Sequence, residues 1–278
     1  MKLTRRMFGA AFAVAATAAL AFPATAQSTR QGVSGDSVIE TIKTRGVIKI
    51  GLSLFKPWSM RDLEGELVGF ELDVGRKLAE DMGVEVEFVP TSWDGIIPAL
   101  VSGKFDVIIS GMSITPQRNL TVNFSDPYAY SGMTILANTA MTKGFSLEDY
   151  NSPDVTFAAR RGATPAAVIA AVFPEAELLL FDEDGASTQE VLNGNAHATM
   201  ASEPTPSTEA RRYAETLNVP FDRTFHATGE SFAYRKGDPD ATNFFNNWIN
   251  VHHANGWLKS RNDYWFRGNE WAAQVGEE

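Results

Sequence analysis

Ser110-Gly111-Met112-Ser113-Ile114-Thr115-Pro116-Gln117-Arg118, running on to Phe124-Ser125-Asp126-Pro127-Tyr128, decides how the rest of the chain is read. The apolar run before it, Phe105 to Ile109, reads as a buried strand. Small residues at the end of a strand let backbone N–H groups come close to a ligand, which makes Ser110, Gly111 and Ser113 candidates. Arg118 follows a Thr-Pro turn, and its guanidinium can grip a carboxylate with two parallel hydrogen bonds. Taken alone, the stretch reads equally as a strand, a turn and a surface salt bridge.

The flanking sequence gives it a setting. Towards the N-terminus, Trp93 to Ser102 has a helical pattern with Ile96, Ile97 and Leu100 inward, and Val84 to Val89 is a strand ended by Pro90. Phe70, Val74, Leu78 and Met82 form one stripe of a helix that begins near Gly69, with Glu71 and Asp73 in the first turn, where the helix dipole favours acids. Glu66 to Val68 is a short strand, Val47 to Leu52 a buried strand, and Ser37 to Arg45 a helix stopped by Gly46. Alternating strands and helices predict a parallel α/β sheet, which binds ligands beyond the carboxyl ends of its strands. Those ends carry Phe55 and Trp58 beside Pro57, then Trp93, then Ser110 to Ser113.

Ser131 to Asn138 is strand-like, Thr139 to Ser152 is a polar linker, and the pattern then restarts. Strands are expected at Val155–Ala159, Leu178–Phe181 and Ala196–Ala201. Helices are expected at Pro165–Phe173, Ser187–Leu192 and Pro204–Leu217. The turn from Arg160 to Thr164 opens the first of these helices, a natural anion site. A second strand-like link, His226 to Tyr234, leads to a long helix over Asp238–Ala254 with Phe244, Phe245, Trp248, Ile249 and Val251 on its apolar face. Trp257–Trp265 forms a last helix. Two links between two α/β units predict a fold of two lobes, each a mostly parallel sheet flanked by helices, with two hinge strands and a cleft between them. Lobe 1 takes residues 37–133 and 230–268, lobe 2 takes 134–229, and 269–278 is a tail in which Trp271 can dock.

The ends and the composition narrow the class. A charged start, an Ala-rich apolar run to Phe22 and Pro23-Ala24-Thr25-Ala26 predict a signal peptide over residues 1–26, and Thr4-Arg5-Arg6-Met7-Phe8 fits twin-arginine as well as general export. Residues 27–36, polar and Gly/Ser-rich, read as a flexible leader. The apolar run is too short for a membrane span. There is no cysteine, which excludes disulfides, thiolate metal sites, cysteine catalysis and a lipid-modified cysteine anchor. A monomer free in the periplasm fits these features. The net charge of −10 argues against nucleic acid, whose phosphates need a basic face. The four histidines have no metal-ligand spacing, no nucleophile or phosphate-loop pattern occurs, and no cofactor or catalytic residue is implied.

Taken together, these segments resemble the family 3 periplasmic solute-binding proteins, the receptors of amino-acid-type ABC importers. The resemblance rests on Gly65-Glu66-Leu67-Val68-Gly69-Phe70-Glu71-Leu72-Asp73, on Trp93-Asp94-Gly95-Ile96-Ile97-Pro98 through Phe105-Asp106, on Ser113 to Arg118, on Phe124 to Tyr128 and on Arg235-Lys236-Gly237-Asp238. It implies a type II binding-protein fold, a small-molecule ligand with a carboxylate, and a membrane permease as partner. It also implies roles: Arg118 on the ligand carboxylate, Ser113 and Thr164 assisting, Phe55 and Trp93 walling the side chain, Ser110 and Gly111 against the amino group.

The sequence departs from the family where members close the amino clamp with an aspartate. His197-Ala198-Thr199-Met200-Ala201-Ser202-Glu203-Pro204 puts Ser202 in that place and Glu203 one residue on. Either Glu203 takes over the ammonium contact or the ligand is not a standard α-amino acid. Neighbours at a strand end point to opposite faces, so the takeover needs a backbone shift. Leu52 sits where members that bind cationic side chains carry an acid. Arg160 reads either as a cleft residue that favours a polar or acidic ligand group or as a solvated arginine. An enzyme resembling periplasmic cyclohexadienyl dehydratase is the alternative to a receptor, with Glu203 as its acid.

Overall fold

The computed structural model describes residues 37–183, 185–268 and 270–276. The expected signal peptide and leader, and three positions of the tail, lie outside the described residues. The Ser37 hydroxyl accepts from the Ile39 amide and caps helix α1, Val38–Arg45, which Gly46 ends at φ 74°. Strand β1, Val47–Leu52, and the small hairpin β2, Met60–Arg61, with β3, Leu67–Val68, lead to helix α2, Phe70–Met82. Gly69 starts α2 at φ 136°, with the Trp58 carbonyl 2.4 Å from where a Cβ would stand, so only glycine fits. Strand β4, Glu85–Pro90, helix α3, Ile96–Val101, and strand β5, Val107–Ile108, complete the first unit, with β1 parallel to both β4 and β5.

The one-turn helix α4, Pro116–Asn119, precedes the longest strand, β6, Asn123–Asn138. Then come β7, Thr156–Arg160; α5, Thr164–Val172; β8, Glu177–Phe181; α6, Ala186–Leu192; β9, Ala198–Ser202; α7, Thr205–Arg212; and β10, Leu217–Asn218. Strand β11, His226–Tyr234, returns to the first unit, followed by α8, Pro239–Ala254, and α9, Trp257–Phe266.

One hydrogen-bonded path joins the strands in the order β4-β1-β5-β11-β6-β9-β7-β8, with β10 on β6. β1, β4 and β5 are parallel, as are β7, β8 and β9, while β6 and β11 run antiparallel through the middle. Apolar clusters lie on both sides of each half. Ile48, Ile50, Phe70 and Phe245 belong to one in the first half, Ile135, Tyr150 and Phe157 to one in the second. Each such side chain contributes roughly 1.5–3 kcal/mol relative to exposure.

Three local readings are corrected. The helix expected from Trp93 begins only at Ile96, since Trp93 to Gly95 forms a turn. β6 begins at Asn123, well before Ser131, and carries Pro127 where its pairing with β11 shifts register, one of the places where a sheet tolerates proline. Val251, placed on the buried face of α8, is 58 % exposed. Trp271 docks as expected, 5 % exposed against Trp265.

Candidate binding cleft

A cavity of about 270 Å3 lies between the two halves of the sheet, at the carboxyl ends of their strands. Phe55, Trp93, Ser110, Gly111 and Ser113 line it from the first half. Arg160, Thr164 and Ser202 line it from the second. The floor is built by β5 and its exit turn. Ser110 Oγ accepts from the Ser53 amide at 2.8 Å, tying the ends of β1 and β5. Gly111 has φ 53°, a left-handed conformation that favours glycine, and its N–H is donated to Glu71 and Tyr128.

Arg118 stands at the edge of the cavity, carried there by the turn that Thr115 caps. Its Nη1 donates to the Ser113 carbonyl at 2.9 Å and to Thr164 Oγ1 at 3.2 Å, and its Nη2 to the Gly162 carbonyl at 3.2 Å. These partners belong to both halves, and all are neutral. Among the described residues no carboxylate pairs with Arg118, and burial pulls its guanidinium down to about 10. Two cations lie over Trp93, Arg118 at 5.4 Å and Arg160 at 5.8 Å from its ring centre. Arg160 also crosses the gap, donating to Ser53 Oγ at 2.8 Å and the Leu54 carbonyl at 3.1 Å. Thr205 Oγ1 bonds the Lys56 carbonyl at 3.0 Å, and Lys56 Nζ lies 3.8 Å from Glu209.

Three expected residues are not among the residues that line the cavity: Arg118, which stands at its edge, Trp58 and Glu203. Trp58 is 1 % exposed and packs on Phe55, Phe70 and Phe266, because the segment folds back through the Phe55–Ser59 bridge and turns the indole into the core. Glu203 accepts from Thr134 Oγ1 at 2.6 Å and from the Ser207 amide at 3.4 Å. Strand alternation at the end of β9 aims Ser202 into the cavity and Glu203 away from it.

The sequence reading missed two acids behind the floor. Glu71 is 1 % exposed and held by Tyr128 and the Gly111 amide, and burial pushes its carboxyl up to about 8. Glu230, also 1 % exposed, is bonded by Ser131 and pushed up by burial to about 7. Glu71 falls at i−3 and i−7 from Val74 and Leu78, so the apolar stripe itself placed it inward. No comparable signal marked Glu230. Among the described residues no group of three or more acidic or histidine side chains is placed to hold a metal ion, and no helix is long and apolar enough to cross a membrane.

Residues 48–268 match the bacterial extracellular solute-binding proteins, family 3. The chain belongs to this family. Solute-binding relatives include a solved ancestral amino acid-binding protein, AncCDT-1, described as a precursor of cyclohexadienyl dehydratase. It is 38% identical over 83% of this chain and 100% of its own, with a TM-score of 0.77. A binding component of an ABC transporter from Wolinella succinogenes, solved with lysine, is 34% identical over 82% of this chain and 99% of its own, also with a TM-score of 0.77. A cyclohexadienyl dehydratase from Pseudomonas aeruginosa is 27% identical over 91% of this chain and 93% of its own.

Proposed function

We propose that this chain is the periplasmic substrate-binding protein of an ABC importer. It captures an amino acid or related small carboxylate between a lobe of residues 37–133 and 230–268 and a lobe of residues 134–229, and delivers it to a membrane permease. The observation that carries this reading is Arg118. A guanidinium taken out of water needs a counter-charge or a full set of acceptors. Arg118 has neutral oxygens from both lobes and, among the described residues, no acid. A ligand carboxylate arriving there supplies the missing charge and touches both lobes at once, so binding selects the shut form. Ser113 and Thr164 flank the same point, and Phe55 and Trp93 offer apolar walls. The solute-binding relatives support the assignment.

A thermal-shift screen over amino acids, hydroxy acids and dicarboxylates tests it, since a ligand of the folded state raises Tm by mass action. A saturable shift from a small carboxylate is the expected result. No shift from any carboxylate at millimolar concentration overturns the reading.

The dehydratase relative favours one alternative, an enzyme on the same fold. Glu203, the acid considered for that role, is turned to Thr134 and Ser207. Incubation with prephenate or arogenate separates the two readings. The receptor gives no aromatic product.

A further inference from the structure

We propose that Glu71 is a positioning residue of this cleft: from behind the floor it sets the Ser110–Gly111 peptide so that the Ser110 carbonyl faces the cavity and accepts a hydrogen bond from a hydroxyl or ammonium of the ligand. The inference rests on the binding reading above. Ser110 and Gly111 line the cavity, and Glu71 does not. In the first turn of α2 the Glu71 amide donates to the Trp58 carbonyl at 2.9 Å, and Phe70 beside it is buried in the core of the first half. These contacts fix where the side chain starts. Its Oε1 accepts from the Gly111 amide and from the Tyr128 hydroxyl, and that hydroxyl also accepts from the Gly111 amide at 3.1 Å. Tyr128 is 1 % exposed, so α2 and β6 close on the Gly111 N–H together.

A trans peptide is planar and holds its N–H and C=O on opposite sides. Among the described residues only the bonds before Pro57 and Pro204 are cis, so the Ser110–Gly111 bond is trans. An N–H turned back to Glu71 therefore turns the Ser110 carbonyl the other way, toward the cavity. Among the described residues no group donates to that carbonyl. A carbonyl shut into a closed cleft without a donor is costly, so it selects a ligand that brings one. The acceptor lies close to the clamp. Ser113, whose carbonyl holds Arg118, is three residues on from Ser110 and at most roughly 11 Å away. One small molecule with its carboxylate at Arg118 spans both. The titratable groups that face Glu71 are Tyr128 from β6 and Glu230 from β11, while Arg261 of α9 is turned to Asp73. Burial pushes the Glu71 carboxyl up to about 8, so at neutral pH it orients the peptide without setting a negative charge behind the bound carboxylate.

The test is calorimetric titration of the full chain with pairs of probes that differ only in a donor beside the carboxylate: L-malate against succinate, L-glutamate against glutarate, L-lysine against aminocaproate, L-phenylalanine against phenylpropionate. For the pair that binds, wild type is expected to take the donor-bearing member at least about tenfold tighter. Glu71→Gln keeps an oxygen for the Gly111 amide and is expected to keep that preference. Glu71→Leu removes the oxygen, frees the peptide to turn, and is expected to cut the preference by about tenfold. A merely structural role weakens both members alike, so an unchanged preference in Glu71→Leu overturns the inference. If Glu71→Leu does not fold, the Gly111 amide proton resonance decides. It is expected to move from about pH 6 to pH 9 in wild type, across the titration of Glu71, and to stay still in Glu71→Gln. An amide that does not move in wild type overturns the inference. A pair that binds with no preference in wild type overturns it too and leaves the carboxylate-binding function standing. Binding of neither member of any pair removes the binding reading and this inference with it.

Discussion

At the scale of single residues, Arg118 bears most of the account. Its removal takes away charged hydrogen bonds worth about 1.5–3 kcal/mol each. Arg118→Ala is therefore expected to weaken the ligand found in the thermal-shift screen by more than a hundredfold, read by calorimetric titration. Its own bonds go to neutral oxygens at a cavity edge, so the unliganded Tm should move little. Arg118→Lys keeps the charge without the fork and should fall between. Affinity within threefold of wild type in Arg118→Ala contradicts the clamp. The residue types of the cleft were legible where they follow a strand end: Ser110, Gly111, Ser113, Thr164 and Arg160 all line it or its edge. Trp58 and Glu203 were not, because the direction of a side chain in a tight turn or at the last residue of a strand depends on backbone geometry that composition does not carry.

At the scale of elements, strands β6 and β11 matter most. They cross between the halves, and their pairing shifts register at Glu230 and Ser231. Glu230 bonds Ser131 of β6, while Tyr128 of the same strand bonds Glu71 of α2. Both carboxyls are raised in the folded chain, Glu71 to about 8 and Glu230 to about 7, from an ordinary value near 4.5. The folded state thus holds more protons than the unfolded state between those limits. Their contribution to stability is full below about pH 4.5 and is lost as pH rises to about 8, with a slope of at most about 1.4 kcal/mol per pH unit for each carboxyl. His197, lowered by burial, works the other way near neutrality, but it is common to wild type and variants. Urea unfolding from pH 5 to 9 should show wild type losing stability relative to Glu71→Gln and Glu230→Gln. Parallel curves contradict the burial of these acids. Most elements were legible from periodicity, among them α1, α2, β11 and α8. The start of β6 was not, since Asn-Phe-Ser-Asp-Pro lacks alternation and becomes a strand only through pairing with β11.

At the scale of the whole molecule, two α/β units share one sheet and meet across a polar gap. Among the described residues, Arg118, Arg160, Lys56 and Thr205 bridge it with hydrogen bonds and an ion pair. Such contacts are individually worth little, which suits parts that must separate to admit a ligand. The two units and the returning link were legible because the strand-helix pattern stops at Asn138 and starts again at Val155. The single sheet was not, because the pairing of β9 with β6 joins residues far apart in sequence and leaves no local mark. The most direct measurement is a crystal structure of the chain with the carboxylate that gives the largest thermal shift. The account predicts the carboxylate within hydrogen-bonding distance of both Arg118 and Thr164, with the remainder of the ligand against Phe55 and Trp93. A ligand that touches only one half of the sheet, or an Arg118 turned away from it, contradicts the account.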